Sequence, residues 1–228
     1  MTIHPYLRGS ILQKISNSIF IDIYKRLYKV YGRQHWWPGD TRFEMMVGAI
    51  LTQNTSWSNV EKAIRNLKKE NALSSAEKLL RTNGRTLARL IRPSGYYNVK
   101  SKRLRDFAGF LVARYGGDLN MMSRRETGEL REELLDVKGV GPETCDSMLL
   151  YALNRPVFVV DAYTRRIFSR HKLIDGNAGY HDIQRLFMVN LPADHRLYNE
   201  YHALIVRLGK ELCRKNPSCE RCPLNRLI

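Results

Sequence analysis

The chain has 228 residues, 43% of them hydrophobic, enough for one sizeable core or two small ones, which excludes the disordered, collagen-like and small disulfide-rich classes. Thirty-eight Lys and Arg against 22 Asp and Glu leave a formal charge of +16, clustered at places such as Lys100, Lys102, Arg103 and Arg105, so the expected partner is a polyanion. No run reaches the roughly 18 apolar residues of a membrane span, and the opening MTIHPYLRGSILQKISNS lacks the apolar core of a secretory leader; a cytoplasmic protein without a membrane partner is expected.

The apolar period is helical nearly throughout, with no convincing strand alternation, so an all-α fold is predicted. Ile19, Ile23, Leu27 and Tyr31 mark a first long helix closed by Gly32. A loop over 34–41 holds Trp36-Trp37-Pro38. An apolar helix through Met46-Val47-Gly48-Ala49-Ile50 then runs into Leu51-Thr52-Gln53-Asn54-Thr55, with Trp57 just beyond. A second loop, 92–98, reads Arg92-Pro93-Ser94-Gly95-Tyr96-Tyr97-Asn98. Leu104, Phe107, Leu111 and Tyr115 mark another helix, closed by Gly116-Gly117, and Ser123-x-x-Glu126 reads as a capping box. A third loop covers 154–160. No repeat, low-complexity tract or shift of composition marks a domain boundary.

The most informative stretch is 135–166, LDVKGVGPETCDSMLLYALNRPVFVVDAYTRR. Gly139 and Gly141 flank Val140, so the turn is expected to take positive-φ conformations and aim several N–H groups at one anion. Pro142 suits a first helical position, and the helix dipole adds to that site. Asp161 emerges from the apolar run Pro156-Val157-Phe158-Val159-Val160, where burial can tune its pKa. It also suits the N-cap of a following helix, and the two roles can coexist.

The hairpin and trailing Asp resemble those of the endonuclease III superfamily of DNA glycosylases. The resemblance implies two helical domains with a DNA-binding cleft between them. One is a six-helix domain over about 34–155, with its helix-hairpin-helix at about 135–154. The other is formed by 1–33 and 156–228, with a cysteine loop at 213–228. It implies a monomer that acts on damaged bases in double-stranded DNA, with a nucleoid-associated location. Asp161 is then the catalytic carboxylate, stabilising an oxocarbenium-like transition state as the C1′–N bond breaks. Gly139, Val140, Gly141 and Thr144 would hold the DNA backbone. Gln53, with Asn54, would enter the duplex, its planar amide filling the gap left by a flipped nucleotide.

Bifunctional members carry a Lys two residues past the second hairpin glycine, whose amine forms a Schiff base. Here that position is Glu143, and Lys138 lies on the other side of the turn, so base removal without strand cleavage is expected. The adenine-specific branch has an acidic residue in the helix that here reads 46–50, and none is present. Trp-Trp-Pro, the Leu-Thr-Gln-Asn-Thr turn and Arg-Pro-Ser-Gly-Tyr-Tyr-Asn resemble a narrower group, the bacterial 3-methyladenine DNA glycosylases of the endonuclease III class. An alkylated purine is cationic and its glycosidic bond is already weak. Trp36, Trp37 and Trp57 would then select it by stacking and cation–π attraction, about 0.5 to 2 kcal/mol per contact, although core packing is the commoner use of such rings. A uracil or thymine mismatch glycosylase, a bifunctional endonuclease III-like lyase and a DNA-binding scaffold without chemistry remain the alternatives.

Cys213-x5-Cys219-x2-Cys222 lies in a basic tail and resembles the superfamily's [4Fe-4S] loop, C-x6-C-x2-C-x5-C. The first spacing is one residue short, and the fourth position is Ile228. Three outcomes are open: a cluster on three cysteines plus an exogenous or carboxylate ligand, a remnant loop without one, or zinc on three thiolates. The retained Cys-x2-Cys-Pro-Leu favours the cluster. Cys145 reads as core packing.

Overall fold

The computed structural model describes residues 17–227. The segment read for a secretory leader falls almost wholly outside the described residues, as does Ile228, the position expected to bear a fourth cluster ligand. Twelve α-helices are present among the described residues: α1 Asn17–Tyr31, α2 Arg42–Leu51, α3 Trp57–Lys69, α4 Ala76–Arg81, α5 Gly84–Leu90, α6 Tyr97–Tyr115, α7 Leu119–Ser123, α8 Thr127–Leu135, α9 Pro142–Ser147, α10 Ala162–Arg170, α11 Tyr180–Asn190 and α12 His195–Glu211. Helix α9 runs on into a π-helical turn, Met148–Ala152, and short 3₁₀ turns occupy Arg92–Ser94 and Cys219–Arg221. The described residues hold no strand.

Local signals place many helix ends. Gly32, at φ +64°, closes α1 with its amide on the Tyr28 carbonyl. Gly116 and Gly117, both at positive φ, close α6, with the Gly117 amide on the Leu111 carbonyl at 3.0 Å. Pro142 stands in the first turn of α9. The expected capping box at Ser123 is not formed. Ser123 ends α7, its hydroxyl donating to the Leu119 carbonyl, and Glu126 is itself the N-cap of α8, accepting from the amides of Gly128 and Glu129. A carboxylate at the N-cap satisfies two orphan amides by itself, which leaves the serine no role there. Within the loop expected at 92–98, the 3₁₀ turn takes the first three residues, and α6 begins at Tyr97.

The chain divides into two compact units, one joining the chain up to Gln34 to the chain from Val160 onward, the other running from His35 to Val159. In the first unit, Phe20 of α1 meets Phe168 of α10 and Phe187 of α11 with ring centroids 5.8 and 5.1 Å apart. The buried Tyr201 hydroxyl of α12 donates to the Phe20 carbonyl at 2.8 Å. The apolar face of α1 therefore centres on Phe20, Ile23 and Leu27, while Ile19 and Tyr31 are half-buried. The second unit has its own continuous core, to which α2, α3, α6 and the π-helical turn contribute Met46, Val47, Ile50, Val60, Leu67, Leu104, Phe107 and Leu149.

Helices α10 and α12 approach closely because Gly209 has no side chain: a Cβ there would lie 2.3 to 3.0 Å from atoms of the Tyr163 side chain. Gly209→Ala is therefore expected to destabilise the protein by about 1–3 kcal/mol through overpacking. Urea unfolding checks this, and an unchanged midpoint would refute the close approach.

Candidate active site and DNA-binding elements

The hairpin between α8 and α9 is held from within. Arg131 of α8 pairs bidentately with Asp146 of α9, at 2.7 and 3.1 Å, and the Asp146 side chain is fully buried. A buried charge pair of this geometry is costly to break because the survivor is left unpaired. Cys145 beside it is also fully buried, its thiol pushed up to about 12 mainly by burial, in keeping with packing. Gly139 takes φ +89°, as expected, but Gly141 is extended at φ −96°, ψ 177° and serves as the N-cap of α9. Val140 is buried and its amide donates to the Val137 carbonyl at 3.0 Å, so that amide belongs to the turn itself. The positive-φ expectation thus holds for one glycine of the two, because the chain enters α9 along an extended N-cap.

Gln53 is fastened to the hairpin. Its amide nitrogen donates to the Gly139 carbonyl at 3.0 Å and to the buried Thr144 hydroxyl at 2.9 Å, while its amide oxygen accepts from the Arg103 guanidinium. Arg103 also occupies the space a Cβ on Gly139 would need. Asn54, next in the loop, is exposed at φ +53°. Glu143 is exposed in the first turn of α9, and Lys138 is exposed in the turn.

Asp161 caps α10. One carboxylate oxygen accepts from the Thr164 amide at 2.7 Å and its hydroxyl at 2.9 Å. The other lies 3.6 Å from His202 Nε2 of α12, and the two side chains are 11% and 8% exposed. Burial works to raise the carboxyl's pKa. The nearness of His202, with the two bonds from Thr164, outweighs it and holds the group below the usual carboxylate range. The site therefore keeps a fixed negative charge in low-dielectric surroundings, an arrangement able to stabilise a positive charge developing beside it.

Trp36, Trp37 and Trp57 form one half-buried cluster: their ring centroids are 4.8 to 5.1 Å apart, and Tyr151 adds a fourth ring 5.1 Å from Trp37. Gly48 admits the Trp37 ring against α2, where a Cβ would meet it at 3.0 Å. Trp57 also donates its indole N–H to Glu61 at 2.9 Å.

Cys213, Cys219 and Cys222 line a single cavity of about 320 Å³. The Cys222 thiol is pushed up by burial and then by the nearness of Cys213 and Cys219, and Arg170 donates to Cys213 Sγ at 3.3 Å. Among the described residues no three His, Cys, Asp or Glu side chains converge on a point as a single metal ion requires. Arg166 ties the loop to α10 through the carbonyls of Gly209 and Cys213.

Residues 47–193 match the family described as HhH-GPD superfamily base excision DNA repair protein. The chain belongs to that superfamily. As a member, this HhH-GPD protein is a DNA glycosylase of base excision repair, and DNA is its substrate. It is 53% identical over 89% of its length, and 92% of the relative's, to a Methanocaldococcus jannaschii protein whose name assigns it only provisionally to the DNA repair glycosylases. A thymine-DNA glycosylase of Aeropyrum pernix is 26% identical over 87% of each chain. The crystal structure of Helicobacter pylori 3-methyladenine DNA glycosylase bound to 1,N6-ethenoadenine superposes with a TM-score of 0.73 at 29% identity, covering 86% of this chain and 98% of that one. None of the helices among the described residues is long and apolar enough to cross a membrane.

Sequence reading placed Lys100 and Arg103 only in a basic cluster and gave His202 no role; the Leu51 carbonyl, Gln53 and Asp161 that they meet lie 41 to 50 residues away. His202 left only a faint signal, a polar residue in the buried face formed by Tyr198, Tyr201 and Ile205 on α12. In this HhH-GPD protein, His202 is the largest influence lowering the Asp161 pKa. With a depressed pKa, the ionised Asp161 contributes stability above the unfolded value near 3.9, lost as pH falls through the folded value. His202→Gln removes the largest of the lowering influences, so if Asp161 is the catalytic carboxylate the acid limb of the base-release profile should move to higher pH. An unmoved limb in a pH series of kcat/KM would show that His202 does not set the charge.

Proposed function

We propose that the protein is a monofunctional DNA glycosylase that hydrolyses the N-glycosidic bond of a flipped, alkylated purine of the 3-methyladenine type in double-stranded DNA. The observation that carries the choice of base is the cluster of Trp36, Trp37, Trp57 and Tyr151, four electron-rich rings in mutual contact. The likeness to the Helicobacter pylori 3-methyladenine glycosylase supports it. Asp161 supplies the fixed negative charge beside the sugar, and a cationic leaving base needs little help from a general acid. Glu143 in place of an amine supports hydrolysis without a Schiff base. The hairpin at Gly139 to Gly141, with Thr144 and Gln53 bracing it, holds the DNA backbone, and Asn54 is the outward residue of the loop that enters the duplex.

The cysteine loop could take three corners of a [4Fe-4S] cluster: Cys213, Cys219 and Cys222 line one cavity, with an Arg170 donor on the Cys213 sulfur to offset thiolate charge. Cys213, Cys219 and Cys222 would hold it, and its role would be structural. Thiolates of a cluster bind different irons, so they need not converge as the ligands of one ion must. A second reading, a thymine or uracil mismatch glycosylase, has the Aeropyrum pernix relative in its favour.

Methylated duplex DNA should release 3-methyladenine, whereas duplexes with T:G or U:G should release little. The opposite pattern would select the mismatch reading, and no release from any damaged base would leave only DNA binding. Asp161→Asn should lower base release by on the order of 10³-fold or more while keeping affinity for an abasic-site duplex. Borohydride should trap no covalent adduct, and an adduct would overturn the monofunctional assignment.

A further inference from the structure

Lys100 is among the largest fully buried side chains, only 1% exposed, and the reaction as derived above does not use it. Its ammonium donates to the Leu51 carbonyl at 2.9 Å and to the Ser94 carbonyl at 2.7 Å, and among the described residues no carboxylate pairs with it. Leu51 ends α2, so its carbonyl belongs to the negative end of that helix dipole, which partly compensates the buried charge. The loop to Asn54 begins at Leu51. Ser94 ends the 3₁₀ turn whose next residues are Gly95, at φ +69°, and Tyr96, at φ +46° and 70% exposed. A tyrosine in the left-handed region is strained, and such strain persists only where the surroundings hold it. One turn along α6, Arg103 holds Gln53, which holds the hairpin.

We infer that Lys100 is a positioning residue for base extrusion, its buried ammonium locking the loop that carries Asn54 to the loop that carries Tyr96 so that both meet the duplex in one fixed arrangement. The inference rests on the proposed entry of the 51–55 loop into DNA. Two carbonyls from different loops converge on one charge, so neither loop can shift without breaking a charge-assisted bond in a dry interior. Burial, and then Arg103 beside it, bring the Lys100 pKa down to about 8. Arg103 is the charged group that bears on it. Above that pH the amine keeps two N–H donors but loses the charge that strengthens them, and the two loops loosen.

The test uses the full chain and a duplex with a tetrahydrofuran abasic site beside 2-aminopurine, whose fluorescence rises as the stack opens, read from pH 7 to 9.5. The wild type should open the stack at pH 7 and lose amplitude through about pH 8. Lys100→Met, verified as folded by its helical circular dichroism, should open it poorly at every pH. Its single-turnover base release should fall on the order of 10- to 100-fold, with duplex affinity little changed. A folded Lys100→Met with wild-type stack opening and pH profile overturns the inference. If that variant does not fold, a wild-type amplitude flat across the pH range overturns it equally. No opening by the wild type at pH 7 would instead count against loop entry itself.

Discussion

The second unit is organised around the amide of Gln53, which has a donor end and an acceptor end and uses both. The donor end takes a carbonyl and a hydroxyl from the hairpin, and the acceptor end takes a guanidinium from α6. Each such bond contributes only about 1 kcal/mol net, yet losing the amide would strand a buried hydroxyl and a cation together, which costs more. Three loci far apart in sequence are thereby made one. Gly139 follows from it, since Arg103 fills the space where any side chain would stand and the backbone is at φ +89°. Asn54 follows too: with Gln53 turned inward, the next residue is left outward at the tip.

Charge is distributed unevenly to the same end. With 38 basic side chains against 22 acidic ones, phosphate attraction needs no special patch, but carboxylates are scarce and several are buried. Asp146 is spent on fixing the hairpin through Arg131, Asp161 is kept ionised by His202 and Thr164, and Glu44 lies almost buried against Lys68 at 2.8 Å. Buried charges tolerate little misplacement, so each one specifies a geometry more than it adds stability. Lys100 is the inverse case, a buried cation compensated by carbonyl dipoles.

What could be read from the chain was mostly local. Helix ends at Gly32, Gly116 and Pro142, the hairpin glycine at 139, the N-cap role of Asp161 and the packing of Cys145 depend on neighbours within a few residues. The all-α class came from periodicity in the same way. Ser123 failed because Glu126 could cap α8 unaided, a competition that spacing does not reveal. Gly141 failed because a glycine before Pro can be extended as easily as left-handed. Arg103, Gly139 and Thr144 around Gln53, His202 beside Asp161 and the Leu51 carbonyl on Lys100 lie 41 to 91 residues from the groups they meet, and only the packed fold brings them together. Charge, likewise, pointed to a polyanion but not to any residue that would grip it.

Under the proposed function, the packing of the tryptophan cluster decides how it would bear on selectivity. Its rings already contact one another, so a base stacked among them must displace ring contacts each worth about 0.5–1.5 kcal/mol beyond buried area. Under the proposed reading a neutral base regains only stacking and roughly breaks even. A cationic base regains a further 0.5 to 2 kcal/mol or so for each ring face it meets. Opening the cluster costs every base equally and so lowers affinity for all of them alike; selectivity comes from the cation–π gain that only the charged base makes. Under the same proposal, the weak glycosidic bond of that base lets a lone, ionised Asp161 suffice, so binding and chemistry would favour one lesion class for a common reason, its positive charge.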